Sequence, residues 1–173
     1  LNRGKGFVVK QGMLQAQGDF RLFTDADNST SIEQIEKFWP CFDEGYDIVI
    51  GSIEVPGAMI NDQAQWYRRF LSHYSKYLIR IVAGLWKIRD TQRGFKCFNA
   101  KSAQDIFSRA RIDRFGFDIE LLVLAKKMGY KIKEMPIIWN NLGRSHVHLM
   151  DYFATLKDLF KIRWWLWINK YKL

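Results

Sequence analysis

Residues 19–30 read DFRLFTDADNST, a short apolar run that closes on two aspartates, Asp25 and Asp27, one residue apart. The run predicts a β-strand with both carboxylates at its C-terminal end. Two anions in that place admit three readings: a solvated turn, a phosphate-transferring nucleophile, or a cradle for a divalent cation. Carboxylates spaced D-x-D in a turn can face one point. Such hard oxygen ligands suit Mg²⁺ or Mn²⁺, which keep waters and accept phosphate oxygens as further ligands.

Outward from this stretch, strands and helices alternate. GKGFVVKQGMLQAQG, ending at Gly18, predicts a short helix between glycines. TSIE, residues 30–33, has capping-box spacing and predicts a helix running toward Pro40. YDIVIGS, residues 46–52, reads as a buried strand, followed by a loop with Pro56 and Gly57. A long helix is expected from Gln63 to about Trp86, and RDTQRGFKCFNA as a loop followed by a strand. KSAQDIFSRA and FDIELLVLAKKMG are helical, KIKEMPIIWNN is a strand breaking after Trp139, and a basic, aromatic, amphipathic helix runs from Asp151 to the end. This order predicts an α/β fold with a largely parallel sheet, which binds ligands at the carboxyl ends of its strands. Asp25 and Asp27 fall at that edge.

A chain of 173 residues can form one domain, burying roughly 70% of its unfolded surface. Net charge is +9 with a sequence pI near 9.6, which predicts an anionic partner: nucleic acid, a phosphorylated substrate or a lipid surface. The aromatic share is 16%, and four of seven tryptophans (Trp139, Trp164, Trp165 and Trp167) lie in the last stretch of the chain. Cys41 and Cys97 show neither metal spacing nor a disulfide framework, so inert thiols in a reducing compartment are expected. No run approaches the ~20 apolar residues of a membrane span. The chain opens LNRGKG, without a methionine and in mid-pattern, so an upstream portion is expected.

DADNS also resembles the D-x-D-x-[TV] opening of aspartate-nucleophile phosphatases, with Ser29 in the threonine position and Asp25 as nucleophile. That chemistry needs a later acidic pair, and neither DD nor GDxxxD occurs.

IRDTQRGFKCF (residues 88–98) and FGFDIELLVLAKKMGYKIKEMPIIW (115–139), taken with NRGKG, DADNST and YDIVIGS, resemble the dolichyl-phosphate glucose and mannose synthases among the family-two glycosyltransferases. The match is nearest the glucosyl branch, where DTQ-x-GFK is characteristic. It runs through nearly the whole chain in consistent order. The resemblance implies a GT-A fold, a nucleotide-sugar donor and Mg²⁺ or Mn²⁺. Asp27 would be the direct metal ligand, with Asp25 a second ligand or donor-sugar contact. Asp90, Thr91 and Gln92 match the loop that meets sugar and acceptor; Asp90 and Gln92 are carried as catalytic candidates. Lys5 would touch the donor phosphates, its flanking glycines permitting close approach. Arg68 and Arg69 match paired arginines beside the acceptor phosphate, and guanidinium suits phosphate geometry. Phe117, Asp118 and Glu120 match a further stretch, with Asp118 expected as a helix N-cap.

The expected reaction is inverting transfer of glucose from UDP-glucose to dolichyl or another polyprenyl phosphate, with mannose from GDP-mannose as the alternative. A lipid phosphate monoester, with its second pKa of about 6, is largely dianionic at neutral pH. It therefore needs no base, and His73, His146 and His148 are expected to be structural. Two departures stand out. GSR in relatives is GSI here, with Ile53, and the basic position of a late GSK motif falls in RSHV, where Arg144 or His146 would substitute.

The expected organisation is residues 1–150 as the C-terminal two-thirds of a GT-A catalytic domain, lacking the nucleobase-binding half, and 151–173 as the basic helix. Alone, the chain is expected to be poorly active or inactive. Residues 157–173 carry five basic side chains against one acid, interleaved with Phe160, Trp164, Trp165, Trp167 and Tyr171. That mixture suits a lipid headgroup boundary or a core-packing helix. The expected location is peripheral, on the cytoplasmic face of the endoplasmic reticulum in a eukaryote or of the plasma membrane in a prokaryote. The other class of function is a non-catalytic module binding membrane or nucleic acid. No RNA-binding signature is present, so nucleic acid is not the expected partner.

Overall fold

The computed structural model describes residues 2–61, 77–140 and 149–173, with the backbone alone at Asn61 and residues 149–153. The elements are α1 (Lys5–Gln15), β1 (Phe20–Thr24), a 3₁₀ helix (Ile32–Lys37), α2 (Trp39–Asp43), β2 (Ile48–Ser52), β3 (Met59–Asn61), helical residues 77–83 (α3), β4 (Phe95–Asn99), α4 (Ala100–Arg109), α5 (Phe117–Lys127), β5 (Ile132–Pro136), β6 (Ile138–Asn140) and α6 (Leu149–Trp167).

The main sheet has the order β1-β4-β2-β5. β2 and β5 are parallel, and β4 runs antiparallel to both β1 and β2. Three of the four strands thus share a direction, as expected, and their C-terminal ends at Thr24, Ser52 and Pro136 reach one edge. The reversed strand β4 starts at that same edge with Phe95. β3 and β6 form a separate parallel pair.

Alternation along the strands fills two layers. Ile48, Ile50 and Phe98 face a large core built with α1, α3, α4, α5 and α6, whereas Val49, Phe95 and Cys97 face a smaller one with Phe38, Cys41 and Ile137. α5 is buried along its whole length from Phe117 to Ala125. A helix apolar on nearly every side has to sit inside, and α5 does. α4 begins where Asn99 caps it, its side chain accepting from the Ser102 amide at 2.8 Å. Asp47 ties the opposite end of the sheet together, accepting from Asn99 Nδ2 and the Lys131 amide at 3.0 and 2.9 Å.

Four local expectations are corrected. The capping box at Thr30 does not form: Ser31 is the N-cap residue, its hydroxyl bonds the Glu33 carboxylate, and a 3₁₀ turn results. Helical structure then continues through Pro40, which sits in the first turn of α2, where a missing N–H costs nothing. α3 ends at residue 83 rather than near Trp86, because Gly84 adopts φ +68°. KIKEMPIIWNN is two strands rather than one; the chain turns at buried Ile137 and passes from the main sheet to the β3–β6 pair. The portion of the predicted long helix over residues 63–76 lies outside the described residues.

Candidate active site

The C-terminal end of β1 delivers Asp25, whose amide donates to the Gly94 carbonyl at 2.8 Å. The Asp25 carboxylate pairs with the Lys5 ammonium, which α1 projects from its first residue. The chain then reverses: Asn28 takes φ 55°, and Asp27 Oδ1 accepts from the Ser29 amide at 2.9 Å. Asp27 remains exposed. β6 fastens the turn from the other side, with the Asn140 amide donating to the Ser29 carbonyl at 2.8 Å. The side chain of Gln34 locks to Ile138 in both directions, at 2.8 and 2.6 Å.

Beside this turn lies the loop between α3 and β4. Asp90 is 1% exposed. Its carboxylate accepts from the amides of Ile53 at 3.2 Å and Gln92 at 3.4 Å and pairs with Arg93 Nε at 3.3 Å. Glu134, on β5, accepts from the amides of Arg89 and Asp90, both at 2.8 Å. Burial pushes the Glu134 carboxyl above its ordinary range, partly offset by those two amides. Two carboxylates thus shape the loop from within, as a buried polar segment requires. Thr91 is buried, and Gln92 is exposed beside Asp90.

Under the turn runs a chain of charges. Lys96, fully buried on β4, donates to Asp118 Oδ1 at 2.6 Å and to the Arg93 carbonyl. Burial raises the Asp118 carboxyl, against the opposing pull of Lys96 and Lys5. Asp118 is therefore not the expected N-cap: Gly116 holds that position, and the Asp118 side chain points into the protein toward Lys96. Neither Lys96 nor Glu134 was singled out from sequence. The available signal was a charged side chain inside each apolar strand, GFKCF and KIKEMP.

Among the expected site residues, Lys5, Asp25, Asp27, Asp90 and Gln92 come together at one sheet edge. Arg68, Arg69 and Arg144 lie outside the described residues, as do His73, His146 and His148. The glycines beside Lys5 make a close approach within the chain itself. A β-carbon on Gly6 would sit 2.5 Å from the Ile112 carbonyl oxygen, so the small residue packs α1 onto the chain's own 112–114 segment. Ile53 packs its side chain against the smaller core, and only its amide reaches Asp90.

Asp25 and Asp27 supply hard carboxylate oxygens of the kind a divalent cation takes, two in number rather than a cage. The Lys5 ammonium against Asp25 shows that the place accepts positive charge. Among the described residues no group of three or more His, Cys, Asp or Glu could enclose a metal. Mg²⁺ held by one or two carboxylates takes its remaining ligands from water and phosphate, so a pair suffices. Elsewhere, burial lifts the Cys97 thiol to about 12, leaving it protonated at neutral pH, in line with the inert role expected.

The model of glycosyl transferase family 2 matches residues 1–107. Among curated proteins, a dolichyl-phosphate beta-glucosyltransferase of Trichomonas vaginalis is 33% identical over 94% of this chain and 50% of its own length. The dolichyl-phosphate beta-glucosyltransferase of Saccharomyces cerevisiae is 32% identical, over 94% and 52%. The chain thus spans about half the length of the curated relatives it matches. Among solved structures, glucosyl-3-phosphoglycerate synthase of Mycobacterium tuberculosis superposes with a TM-score of 0.64 at 15% identity, over 92% of this chain and 53% of that one. Its complex with Mn²⁺, uridine diphosphate and glucosyl-3-phosphoglycerate gives 0.60, with the same identity and coverage. Mannosyl-3-phosphoglycerate synthase of Rubrobacter xylanophilus gives 0.62 at 15% identity, over 99% and 53%. The fold is of the GT-A type, as the resemblance implied.

Proposed function

The chain belongs to glycosyltransferase family 2, and on that premise we propose that it carries the metal and acceptor part of an enzyme moving glucose from UDP-glucose to dolichyl or another polyprenyl phosphate. The observation that carries this reading is the Asp25–Asp27 turn at the C-terminal end of β1, braced by the Gly94 carbonyl and by β6. The names of the curated relatives support the glucosyl branch and the lipid phosphate.

In this reading Asp25 and Asp27 would hold Mg²⁺ or Mn²⁺, which would neutralise charge building on the departing diphosphate. Lys5 adds a second cation beside Asp25. Asp90, seated by two backbone amides, fixes the loop that carries exposed Gln92 toward the sugar. An oxygen of the acceptor phosphate attacks the anomeric carbon. The bond from that carbon to the donor diphosphate breaks, and its electron pair leaves with the nucleoside diphosphate. Direct displacement inverts the centre, and the dianionic acceptor needs no base. GDP-mannose is the alternative donor, chemically equivalent at the carboxylate pair.

The last helix supports a lipid-facing role. Leu159 and Ile162 are buried in the main core, while Phe160, Trp164 and Trp167 are exposed on α6. Lys161 and Lys170 flank the Trp165 ring at 4.6 and 5.0 Å. Among the described residues no helix is long and apolar enough to cross a membrane. Exposed rings beside ammonium groups suit the surface of an anionic bilayer, on the cytoplasmic face of the endoplasmic reticulum in a eukaryote or of the plasma membrane in a prokaryote.

The test, run on the enzyme with its nucleobase-binding part, is transfer of labelled sugar from UDP-glucose or GDP-mannose into dolichyl phosphate, with and without EDTA. An EDTA-sensitive glucolipid is expected; no chelator-sensitive product from either donor would overturn the assignment. Flotation with anionic vesicles, run beside an RNA gel shift, checks the tail. Recovery with vesicles is expected, and binding to RNA alone would favour the nucleic-acid reading.

A further inference from the structure

Arg93 is gripped on two sides and open on a third. Its Nε lies 3.3 Å from Asp90 Oδ2, and its guanidinium carbon lies 4.3 Å from the centroid of the Trp139 ring. Asp90 cannot swing to follow it, because the same Oδ2 accepts from the Ile53 amide at 3.2 Å and the residue is 1% exposed. The backbone on either side of Trp139 is held as well, Ile138 by Gln34 and Asn140 by Ser29. A guanidinium presents five N–H donors in one planar fork. Here Asp90 takes the Nε edge and the indole covers one face, while the side chain keeps 23% exposure.

The clamp is built into the proposed transfer site. Arg93 precedes Gly94, whose carbonyl receives the Asp25 amide, and Trp139 precedes Asn140, whose amide reaches the Ser29 carbonyl. Both halves are therefore stitched to the turn bearing Asp25 and Asp27. Asp90 is already served by two backbone amides, so its need for hydrogen bonds does not account for an arginine held beside it over the Trp139 ring. An aromatic face holds a guanidinium in plane and lowers the entropy lost when its outer nitrogens engage an oxyanion.

We propose that Arg93 is a phosphate-binding residue of this site, taking a phosphoryl oxygen on its outer Nη edge, with Asp90 and Trp139 as its positioning residues. This rests on the transfer reading, and it adds a cation that neither the sequence pattern nor the family resemblance singled out. The phosphoryl group belongs either to the donor diphosphate or to the acceptor monoester, which present the same oxyanion chemistry.

The experiment compares, in the enzyme with its nucleobase-binding part, wild type with Arg93→Met, Arg93→Lys and Trp139→Leu. Transfer assays give KM for each substrate. Calorimetric titration with inorganic phosphate and, separately, inorganic pyrophosphate reads binding without catalysis, and thermal unfolding monitors the fold. Losing a charge-assisted hydrogen bond to phosphate is expected to raise one KM roughly tenfold or more in Arg93→Met. Arg93→Lys should recover part of that loss, and Trp139→Leu should shift the same KM by less. A shift confined to the lipid phosphate and to inorganic phosphate assigns the acceptor; one confined to the nucleotide-sugar and to pyrophosphate assigns the donor. Equal anion affinity in wild type and Arg93→Met, whatever happens to the unfolding temperature, overturns the proposal. If wild type transfers nothing yet loses anion binding on Arg93→Met, the transfer reading fails and the phosphate site stands.

Discussion

Gly94 and Asp25 occupy each other's space. The Gly94 carbonyl receives the Asp25 amide at 2.8 Å, and a β-carbon at position 94 would fall 2.2 Å from Asp25 Oδ1. Only glycine lets β4 start this close to the carboxylate that ends β1. The glycine of the GFK stretch is thus tied to the aspartate pair by sterics as well as by resemblance.

Gly94→Ala should therefore impair binding more than folding. The atoms in the way are the end of one side chain, which can rotate at modest cost. In the enzyme with its nucleobase-binding part, the expected result is at least a tenfold weaker metal-dependent UDP-glucose affinity, measured by calorimetry, with little change in unfolding temperature. Gly6→Ala is the contrasting case, because its β-carbon would meet the Ile112 carbonyl oxygen at 2.5 Å. Overpacking of this kind costs about 1–3 kcal/mol, read by denaturant unfolding.

Asp27→Asn and Asp25→Asn should each lower transfer by roughly 10²–10³, the scale of losing one preorganised electrostatic contact. Asp27 is exposed and, among the described residues, makes one local bond, so its loss should leave stability nearly unchanged. Retained chelator-sensitive transfer in both variants would sink the carboxylate-pair reading.

The Lys96–Asp118 pair is buried on both sides and should behave as one unit in a double-mutant cycle. Removing either partner alone, by Lys96→Met or Asp118→Asn, leaves an uncompensated polar group at a cost of about 3–5 kcal/mol. The double variant should be destabilised by much less than the sum of the two. Additive losses would show that the charges are independent.

Glu120 supplies the pH test. Its carboxylate accepts from the Arg111 and Ile112 amides at 2.9 Å each and from the Tyr171 hydroxyl at 2.7 Å. Burial nevertheless raises its pKa above the ordinary 4.5. A raised carboxyl means that the folded protein holds the proton more tightly than the unfolded chain does. Its contribution is thus fully present below about pH 4.5 and is lost as pH rises through the folded value. Glu120→Gln should flatten that part of the stability curve while weakening the protein by about 1–3 kcal/mol, because an amide cannot accept all three bonds. An unchanged pH slope would exclude Glu120 as its source.

Much of this architecture was legible in the residues. The strand ending at Asp25, the buried run at Ile48–Ser52 and the continuous apolar stretch of α5 announce themselves through periodicity and punctuation, which depend on neighbours in sequence. The reversal of β4 did not, because antiparallel and parallel strands have the same local pattern and differ only in which strands they meet. Nor did the break at Ile137, where one apolar run serves two sheets. The DAD turn was visible as a candidate; its bracing by Gly94 and Asn140, more than sixty positions away, was not.

By its composition and order alone, the chain determined an alternating α/β fold and the carboxylate pair at a strand end, since each follows from residue type and short-range spacing; its charge raised only the expectation of an anionic partner. Tertiary structure alone decided that Lys96 is buried against Asp118 and that Arg93 is held between Asp90 and Trp139. A charge takes its meaning from what surrounds it, and those surroundings are assembled from segments that become neighbours only when the chain folds.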